Sequence, residues 1–268
     1  MSDPDRSISG PADSYLYADW SGKPANVHAV TTLRAGGYST GPYTSFNLAA
    51  HVGDEPRAVE ANRARLVEDL GLPSKPVWLN QVHGDTVIQL PGHTLGETPD
   101  ADASLTRTPG VVCAVMTADC LPVFFASEAG DEVAIAHAGW RGLHAGVISA
   151  TLAAMHTRAD RIQAFLGPAI GPQAFEVGEE VYQAFHDKSP HNDVAFTPSS
   201  ERDGSQRFLC DIYQLARLEC ASLGVRAVSG GGICAFSDDE RFYSYRRQQT
   251  TGRMASLIWM DDSGLASN

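Results

Sequence analysis

The chain lacks a long hydrophobic run. No stretch approaches the ~20 consecutive apolar residues that a membrane helix needs, so a membrane is not an expected partner. The first residues, MSDPDRSISGPADS, are polar and acidic, and no basic segment leads into an apolar one, so they do not read as a signal peptide. No Cys-X-X-Cys pair occurs. The five cysteines (Cys113, Cys120, Cys210, Cys220 and Cys234) are odd in number and dispersed, which argues for reduced thiols in the cytoplasm and against a disulfide framework. Positive charge is scarce: 20 Lys and Arg stand against 32 Asp and Glu, a net charge of −12. Such a chain repels phosphate backbones, and nucleic acid is not an expected partner. The one Gly-X-Ser-X-Gly pattern, at 37–41, lies inside a glycine-rich segment and not in a strand-to-helix elbow, and there is no Gly-X-Gly-X-X-Gly turn and no phosphate-binding Gly-X4-Gly-Lys-Ser/Thr loop. No His-X-His pair exists, and a multicopper oxidase is built on several of them.

The 268 residues suffice for one domain with a real core. No repeat, low-complexity linker or composition break divides them, so one catalytic domain is expected over 21–262. Flexible tails are expected at 1–20 and 263–268. Apolar alternation and short apolar runs predict strands at 26–33, 76–79, 85–90, 102–106, 111–116, 121–126, 132–138, 162–167, 225–230 and 254–260. Helical spacing predicts helices beginning at Pro56 and ending before Gly71, then at 142–158, 178–186 and 210–224. The glycine-rich segment 34–54 reads as a long functional loop. This order is neither a clean βαβ alternation nor a hairpin series. It predicts an α+β fold: a single domain with mixed sheets, two of them packed together with helices outside.

Two imidazoles and a thiol stand where a core has no need of them. His83 lies in NQVHG (80–84), Cys120 in ADC (118–120) and His137 in HAGWRG (137–142), each at the end of an apolar run. Two histidines and one thiolate make a catalytic zinc set that leaves a fourth position open. The alternative is a buried thiol and two hydrogen-bonded histidines, and spacing alone does not choose between them. Asp119 precedes Cys120; it is either the carboxylate partner of a ligating histidine or an Asx-turn residue before Leu121-Pro122. Gln81, two residues before His83 on an extended segment, shares its face. Arg34, Arg141 and Arg246 lie in turns flanked by glycine and aromatic residues, with Arg247 beside the last. Arginine holds phosphate or carboxylate bidentately, which favours a ligand role for at least one of the first three. Arg141 stands where a loop enters a helix, a position suited to anions. Phe175, Phe242, Tyr243 and Tyr245 are core residues or stacking faces. The candidate set is thus His83, Asp119, Cys120 and His137 for catalysis, with Arg34, Asn47, Gln81, Arg141 and Arg246 for substrate or phosphate.

The stretches SFNLAAHVGDEP, PVWLNQVHG, PGVVCAVMTADCLPVFF, AHAGWRGLHAGV, FLGPAIGPQAFEVG, DIYQLAR and SYRRQQTTGRMASLIW closely resemble the YfiH family. That family is also called the laccase-domain or polyphenol oxidase family, and the purine nucleoside phosphorylase family. The resemblance runs from about Val27 to Met260. It implies an α/β/β/α sandwich with one zinc ion on His83, Cys120 and His137. The implied activities are phosphorolysis of adenosine, inosine and S-methyl-5′-thioadenosine, and hydrolytic deamination of adenosine, with purine nucleosides and inorganic phosphate as partners; a monomer is expected. Family members are also named peptidoglycan-editing factors, which implies an alternative: a cysteine-type amidase acting on cell-wall precursors with Cys120 as nucleophile. A copper polyphenol oxidase is the disfavoured reading, given the lack of His-X-His. Cys234, in GGICAFSD, is assigned no role, and Cys113, Cys210 and Cys220 are read as plain thiols.

Overall fold

The computed structural model describes residues 14–90, 98–202 and 204–262. In chain order its elements are β1 (Tyr15–Tyr17), β2 (Val27–Thr32), α1 (Pro56–Asp69), β3 (Val87–Leu90), β4 (Ala103–Thr106), β5 (Cys113–Thr117), β6 (Leu121–Ser127), β7 (Val133–Ala138), α2 (Trp140–Ala145) and α3 (Val147–Ala154). They continue with β8 (Ile162–Leu166), β9 (Glu176–Gly178), α4 (Glu179–Lys188), β10 (Phe196–Arg202), β11 (Ser205–Cys210), α5 (Ile212–Ser222), β12 (Ala227–Gly230) and β13 (Met254–Met260). One sheet has the order β1-β2-β13-β5, a second β12-β8-β6-β7-β4-β3, and a small third β10-β11-β9. The first is antiparallel throughout. The second is mixed, with parallel pairs at both edges, β3–β4 and β12–β8.

The layers follow from alternation along each strand. On β5 and β13, Cys113, Val115, Ile258 and Met260 point toward Phe124, Ala126, Val133 and Ile135 of β6 and β7, and this forms the core between the sheets. Their neighbours Ala114, Ala255, Leu257 and Trp259 point outward and pack with Leu66 of α1. The opposite faces of β6 and β7, with Val123, Phe125, Ala134 and Ala136, lie under α3 and α5 through Ile148, Leu152, Leu215 and Ala216. The molecule is therefore a single α/β/β/α sandwich. β6 and β7 are buried at every position because both of their faces are covered, hence their unbroken apolar sequence. Pro56 opens α1, and the Asp211 side chain caps α5 by accepting from Gln214 N–H at 3.0 Å.

Several expectations are corrected. The tail expected through residue 20 ends earlier: β1 pairs with β2, and Tyr15 and Trp20 are buried. Residues 1–13 and 263–268 lie outside the described residues. The helix expected over 142–158 is two helices, because Gly146 adopts φ +100° and breaks the chain between α2 and α3. The strand expected at 76–79 is a single bridge from Val77 to Cys113. No helix among the described residues is long and apolar enough to cross a membrane.

Candidate metal centre and pocket

Strand order brings the three ligand candidates together. β6 and β7 are central neighbours, with Pro122 opposite His137 and Leu121 opposite Ala138. Continuing that register sets Cys120 against Gly139. A side chain at 139 would put its Cβ 2.8 Å from Cys120 Sγ and 3.4 Å from His83 Cδ2, so only glycine leaves the sulfur room there. Cys120 ends the short link 118–120, which carries the chain from β5 in one sheet to β6 in the other. Asp119 makes that crossing at φ +93°. His83 approaches from the loop ahead of β3, itself at φ +61°. These two are the non-glycine residues with positive φ among the described residues, and both stand at the same site. Such conformations cost energy and persist only where surrounding contacts enforce them.

The ligand atoms of His83, Cys120 and His137 all lie within 4.8 Å of one another, and the two imidazole rings meet edge to face with centroids 4.8 Å apart. The carboxylate that organises them is Asp102, just ahead of β4. Its Oδ1 bonds His137 Nδ1 at 2.8 Å and accepts from His83 N–H at 3.0 Å. Its Oδ2 accepts from Gly84 N–H at 2.7 Å and Val82 N–H at 3.2 Å. One fully buried carboxylate thereby fixes both the loop that carries His83 and the ring of His137, leaving His137 Nε2 for the centre. Burial opposes ionisation of the Cys120 thiol, but the charges of His137 and His83 and their hydrogen bonds outweigh it and bring the thiol down to about 6. The same interaction pushes His137 up against its own burial, helped by Asp102. Donor chemistry and spacing fit a metal that takes nitrogen and sulfur ligands.

Asp119 is not the histidine partner. Its Oδ2 accepts Arg246 N–H at 2.6 Å, and its carbonyl accepts Ile170 N–H at 2.8 Å. Its Oδ1 is buried with no hydrogen-bond partner among the described residues. Burial raises the carboxyl above its usual range, opposed by that backbone bond, by Ser244 and by the charges of Arg246 and Arg247.

The triad opens into a cavity of about 480 Å3. Gln81 lines it but is spent on Met116, accepting its N–H at 2.7 Å and donating to its carbonyl at 2.8 Å, which ties the His83 loop to β5. Arg141 and Arg246 line it too. Arg141 lies over the Trp140 ring at 4.4 Å; Arg246 lies over Phe175 and donates to the Glu176 carbonyl at 3.0 Å. The helix entered at Arg141 is only six residues long, too short to supply the full dipole expected of an anion site. Arg34 and Asn47 are not brought to the cavity. Arg34 donates to the carbonyls of Thr44 and Asp239, and Asn47 is buried in loop-bracing bonds to Ala49 and Asp54. Arg247 is likewise spent on the carbonyls of Ala235, Phe236 and Phe242. Phe242 and Tyr243 are core, whereas Phe175 and Tyr245 face the cavity. Sequence reasoning missed Asp102, Arg253 and His51. An acid opening the apolar run DASLT and an arginine ahead of MASLIWM were the available signals.

The family described as multi-copper polyphenol oxidoreductase laccase matches residues 28–261. A Pseudomonas aeruginosa protein named purine nucleoside phosphorylase is 51% identical over 251 residues, spanning 93% of this chain and 100% of that one. Purine nucleoside phosphorylase YfiH of Escherichia coli is 52% identical over 238 residues, spanning 89% and 96%. Among solved structures, a Neisseria meningitidis protein aligns with TM-score 0.86 at 50% identity over 92% of this chain and 99% of that one. Bacillus licheniformis YfiH aligns with TM-score 0.81 at 26% identity over 88% and 93%. With sequence and fold matched together over nearly its whole length, the chain belongs to the laccase-like YfiH family.

Proposed function

We propose that the protein is a zinc-dependent purine nucleoside enzyme. It carries out phosphorolysis of adenosine, inosine and S-methyl-5′-thioadenosine, and hydrolytic deamination of adenosine. The observation that carries this reading is the His83–Cys120–His137 group opening into a cavity with cationic and aromatic walls. The cavity's volume suits a nucleoside, and Trp140, Phe175 and Tyr245 offer faces for a flat purine. The names of the relatives support the same substrate class.

When bound, zinc supplies a Lewis acid with an open coordination position. His83, Cys120 and His137 hold it, and Asp102 keeps the proton of His137 on Nδ1. In phosphorolysis a phosphate oxygen bonds to ribose C1′, and the C1′–N9 bond breaks with its electron pair passing to the purine. Asp119, whose carboxyl is raised by burial and which lines the cavity, hands a proton to the leaving base. In deamination water adds at C6, the amino group leaves as ammonia, and the same carboxyl relays protons. Arg141 and Arg246 offset the charge of the phosphate. The copper chemistry in the family description is not carried over. A multicopper centre needs several ligand clusters, and the triad is the one group of three His, Cys, Asp or Glu ligands found among the described residues.

The test is incubation of zinc-loaded protein with adenosine, with and without phosphate, and identification of the products. Inosine is expected without phosphate, and ribose 1-phosphate with a free base when phosphate is present. Cys120→Ala loses bound zinc and both activities. Absence of all these products from zinc-loaded protein overturns the reading.

One observation favours a second reading. The lowered thiol of Cys120, beside His137 and backed by Asp102, has the arrangement of a cysteine nucleophile for an amidase acting on peptidoglycan precursors. A nucleophile is alkylated rapidly in the metal-loaded protein, whereas a metal-bound thiolate is protected until chelator is added.

A further inference from the structure

Although the chain as a whole carries −12, the cavity inverts that sign locally. Arg141, Arg246 and Arg253 line it, and Asp119 is the one Asp or Glu in its wall. The three arginines are not equivalent. Arg141 and Arg246 are exposed, while Arg253 is half-buried and starts from the end of β13, a strand interior to its sheet. Its backbone is pinned on both sides: its N–H donates to Asn47 Oδ1 at 2.9 Å, and its carbonyl accepts Leu48 N–H at 3.4 Å. Nη1 donates to the carbonyls of Thr251 and Gly252 at 2.8 and 3.0 Å, and the guanidinium lies over Tyr245. Asn47, the seat of this assembly, is held by Ala49 and Asp54. Gly252 packs so tightly there that a Cβ would come within 2.9 Å of Asn47 Cβ and 2.7 Å of Tyr243 Cζ.

Among the described residues, every hydrogen-bond partner of this guanidinium is a neutral carbonyl and no carboxylate makes an ion pair with it. Burial lowers its pKa, opposed by the charges of Cys120, Tyr245, Asp119 and Tyr43, none of which pairs with it directly. A partly desolvated cation with no carboxylate in contact is costly, and a rigid seat that preserves it is what an anion site requires. His51 lines the same cavity. Burial, together with the charges of Arg253 and Arg63, lowers its pKa, so it offers a neutral imidazole beside the cation.

We propose that Arg253, seated by Asn47 and flanked by His51, is the principal phosphate-holding group of the cavity, and that Arg141 and Arg246 act at its rim. The phosphate is either inorganic, the co-substrate of phosphorolysis, or the phosphate of a nucleotide. Its use in catalysis rests on the function proposed above; its binding does not.

Calorimetric titration of zinc-loaded protein with inorganic phosphate, and separately with AMP and adenosine, tests this. Arg253→Met weakens phosphate binding about tenfold or more, as expected for loss of a charge-assisted fork. Arg253→Lys, which keeps the charge and its packing on Tyr245, gives an intermediate loss and covers the case of a misfolded Met variant. Arg158→Met removes the same charge from outside the cavity, where Arg158 is 82% exposed, and leaves binding at the wild-type value. In kinetics, Arg253→Lys raises the phosphate KM by a larger factor than it lowers the rate of deamination. If AMP binds more tightly than adenosine, loses that margin in Arg253→Met, and free phosphate does not bind, the site stands and its ligand is a nucleotide. Equal phosphate and AMP affinities in wild type and both Arg253 variants overturn the proposal, even if phosphorolysis is observed. Arg253-dependent phosphate binding without phosphorolysis leaves the site standing and removes the reaction.

Discussion

Asp102→Asn separates the proposed metal chemistry from ordinary packing. The native carboxylate accepts from three backbone N–H groups, those of Val82, His83 and Gly84, and pairs with His137 Nδ1. Asparagine keeps the shape but has one acceptor oxygen. If that oxygen takes the place of Oδ2, the amide NH2 faces His83 N–H and His137 Nδ1; the reverse orientation sets it against Val82 and Gly84. Either way two buried donors meet a donor, at roughly 1–3 kcal/mol each, or about 2–6 kcal/mol against a total stability of about 5–15 kcal/mol. His137 relieves one clash by moving its proton to Nε2, but that caps the nitrogen facing the centre. Zinc affinity therefore falls about 10–100-fold, the usual cost of losing the carboxylate behind a ligating histidine. Metal-free protein melts on the order of 10 °C lower. The assays are competition with a chromophoric chelator and thermal unfolding of metal-free protein, with Asp119→Asn as the comparison that leaves His137 untouched. Burial alone would raise Asp102, but His137 and the backbone donors hold it below the usual carboxylate range. A lowered folded pKa means that its stabilisation is complete above about pH 4 and is lost as pH falls through the lowered value. Asp102→Asn lacks that acid step. Zinc affinity within about twofold of wild type, with melting unchanged, would refute the assignment of Asp102 as organiser of the centre.

One further substitution and one thiol-labelling experiment test the same centre. Gly139→Ala places a methyl 2.8 Å from Cys120 Sγ while its backbone, at φ −64° and ψ 164°, accepts alanine without strain. The variant folds with near-native melting but retains less than a tenth of the zinc after dialysis, about the loss expected when a ligand is displaced; full retention counts against the packing argument. Mass-spectrometric mapping of alkylated thiols at pH 8 labels the half-buried Cys234, whose thiol is lowered by Ser237 and backbone donors against the effect of burial. It labels Cys120 only after chelation, and a pH series on the chelated protein then gives half-maximal reaction near pH 6. Cys113 and Cys220, both pushed up to about 12 by burial, and the buried Cys210 react only in denaturant. Labelling of Cys120 in zinc-loaded protein would favour the amidase.

What the sequence made legible follows from how burial writes itself into residue order. β6 and β7 are covered on both faces, so they read as unbroken apolar runs, and every core helix carried its spacing. The hairpin of β10 and β11 carried no such signal. β10 buries only Phe196 and is otherwise mostly exposed, and its register shifts between Pro198 and Glu201, so alternation fails on both counts. β1 is three residues long, too short for any periodicity. The Gly146 break was invisible because glycine within apolar spacing is also tolerated in a continuous helix. Val77 reads as part of a strand, yet it alone bridges β5, because by Asn80 the backbone has turned to pair with Asp100 instead.

The site was legible only where its residues are chemically rare. Two imidazoles and a thiol at strand ends stand out in any chain; Asp102 and Arg253 are ordinary acids and cations whose meaning depends on strand order. Asp102 reaches His137 because β4 lies beside β7, and Arg253 reaches the cavity because β13 is inserted between β2 and β5; neither adjacency is consecutive in sequence. Those adjacencies also divide the site by sheet. Cys120, His137 and Asp102 extend from the six-stranded sheet, while Arg253 and the Met116 segment that anchors Gln81 extend from the four-stranded one. Residues 118–120 are the covalent hinge between them. The distance from the metal-ligating atoms to the proposed phosphate-holding guanidinium is therefore set by the apolar layer between the sheets, where Val115 and Ile258 pack with Phe124 and Ile135. Close-packed interiors do not adjust continuously, so a volume change in that layer shifts one half of the site against the other. A core substitution there is expected to alter the proposed reaction of two substrates, which would meet across the gap, more than it alters the proposed metal binding, which uses one sheet and the His83 loop tied to it by Asp102.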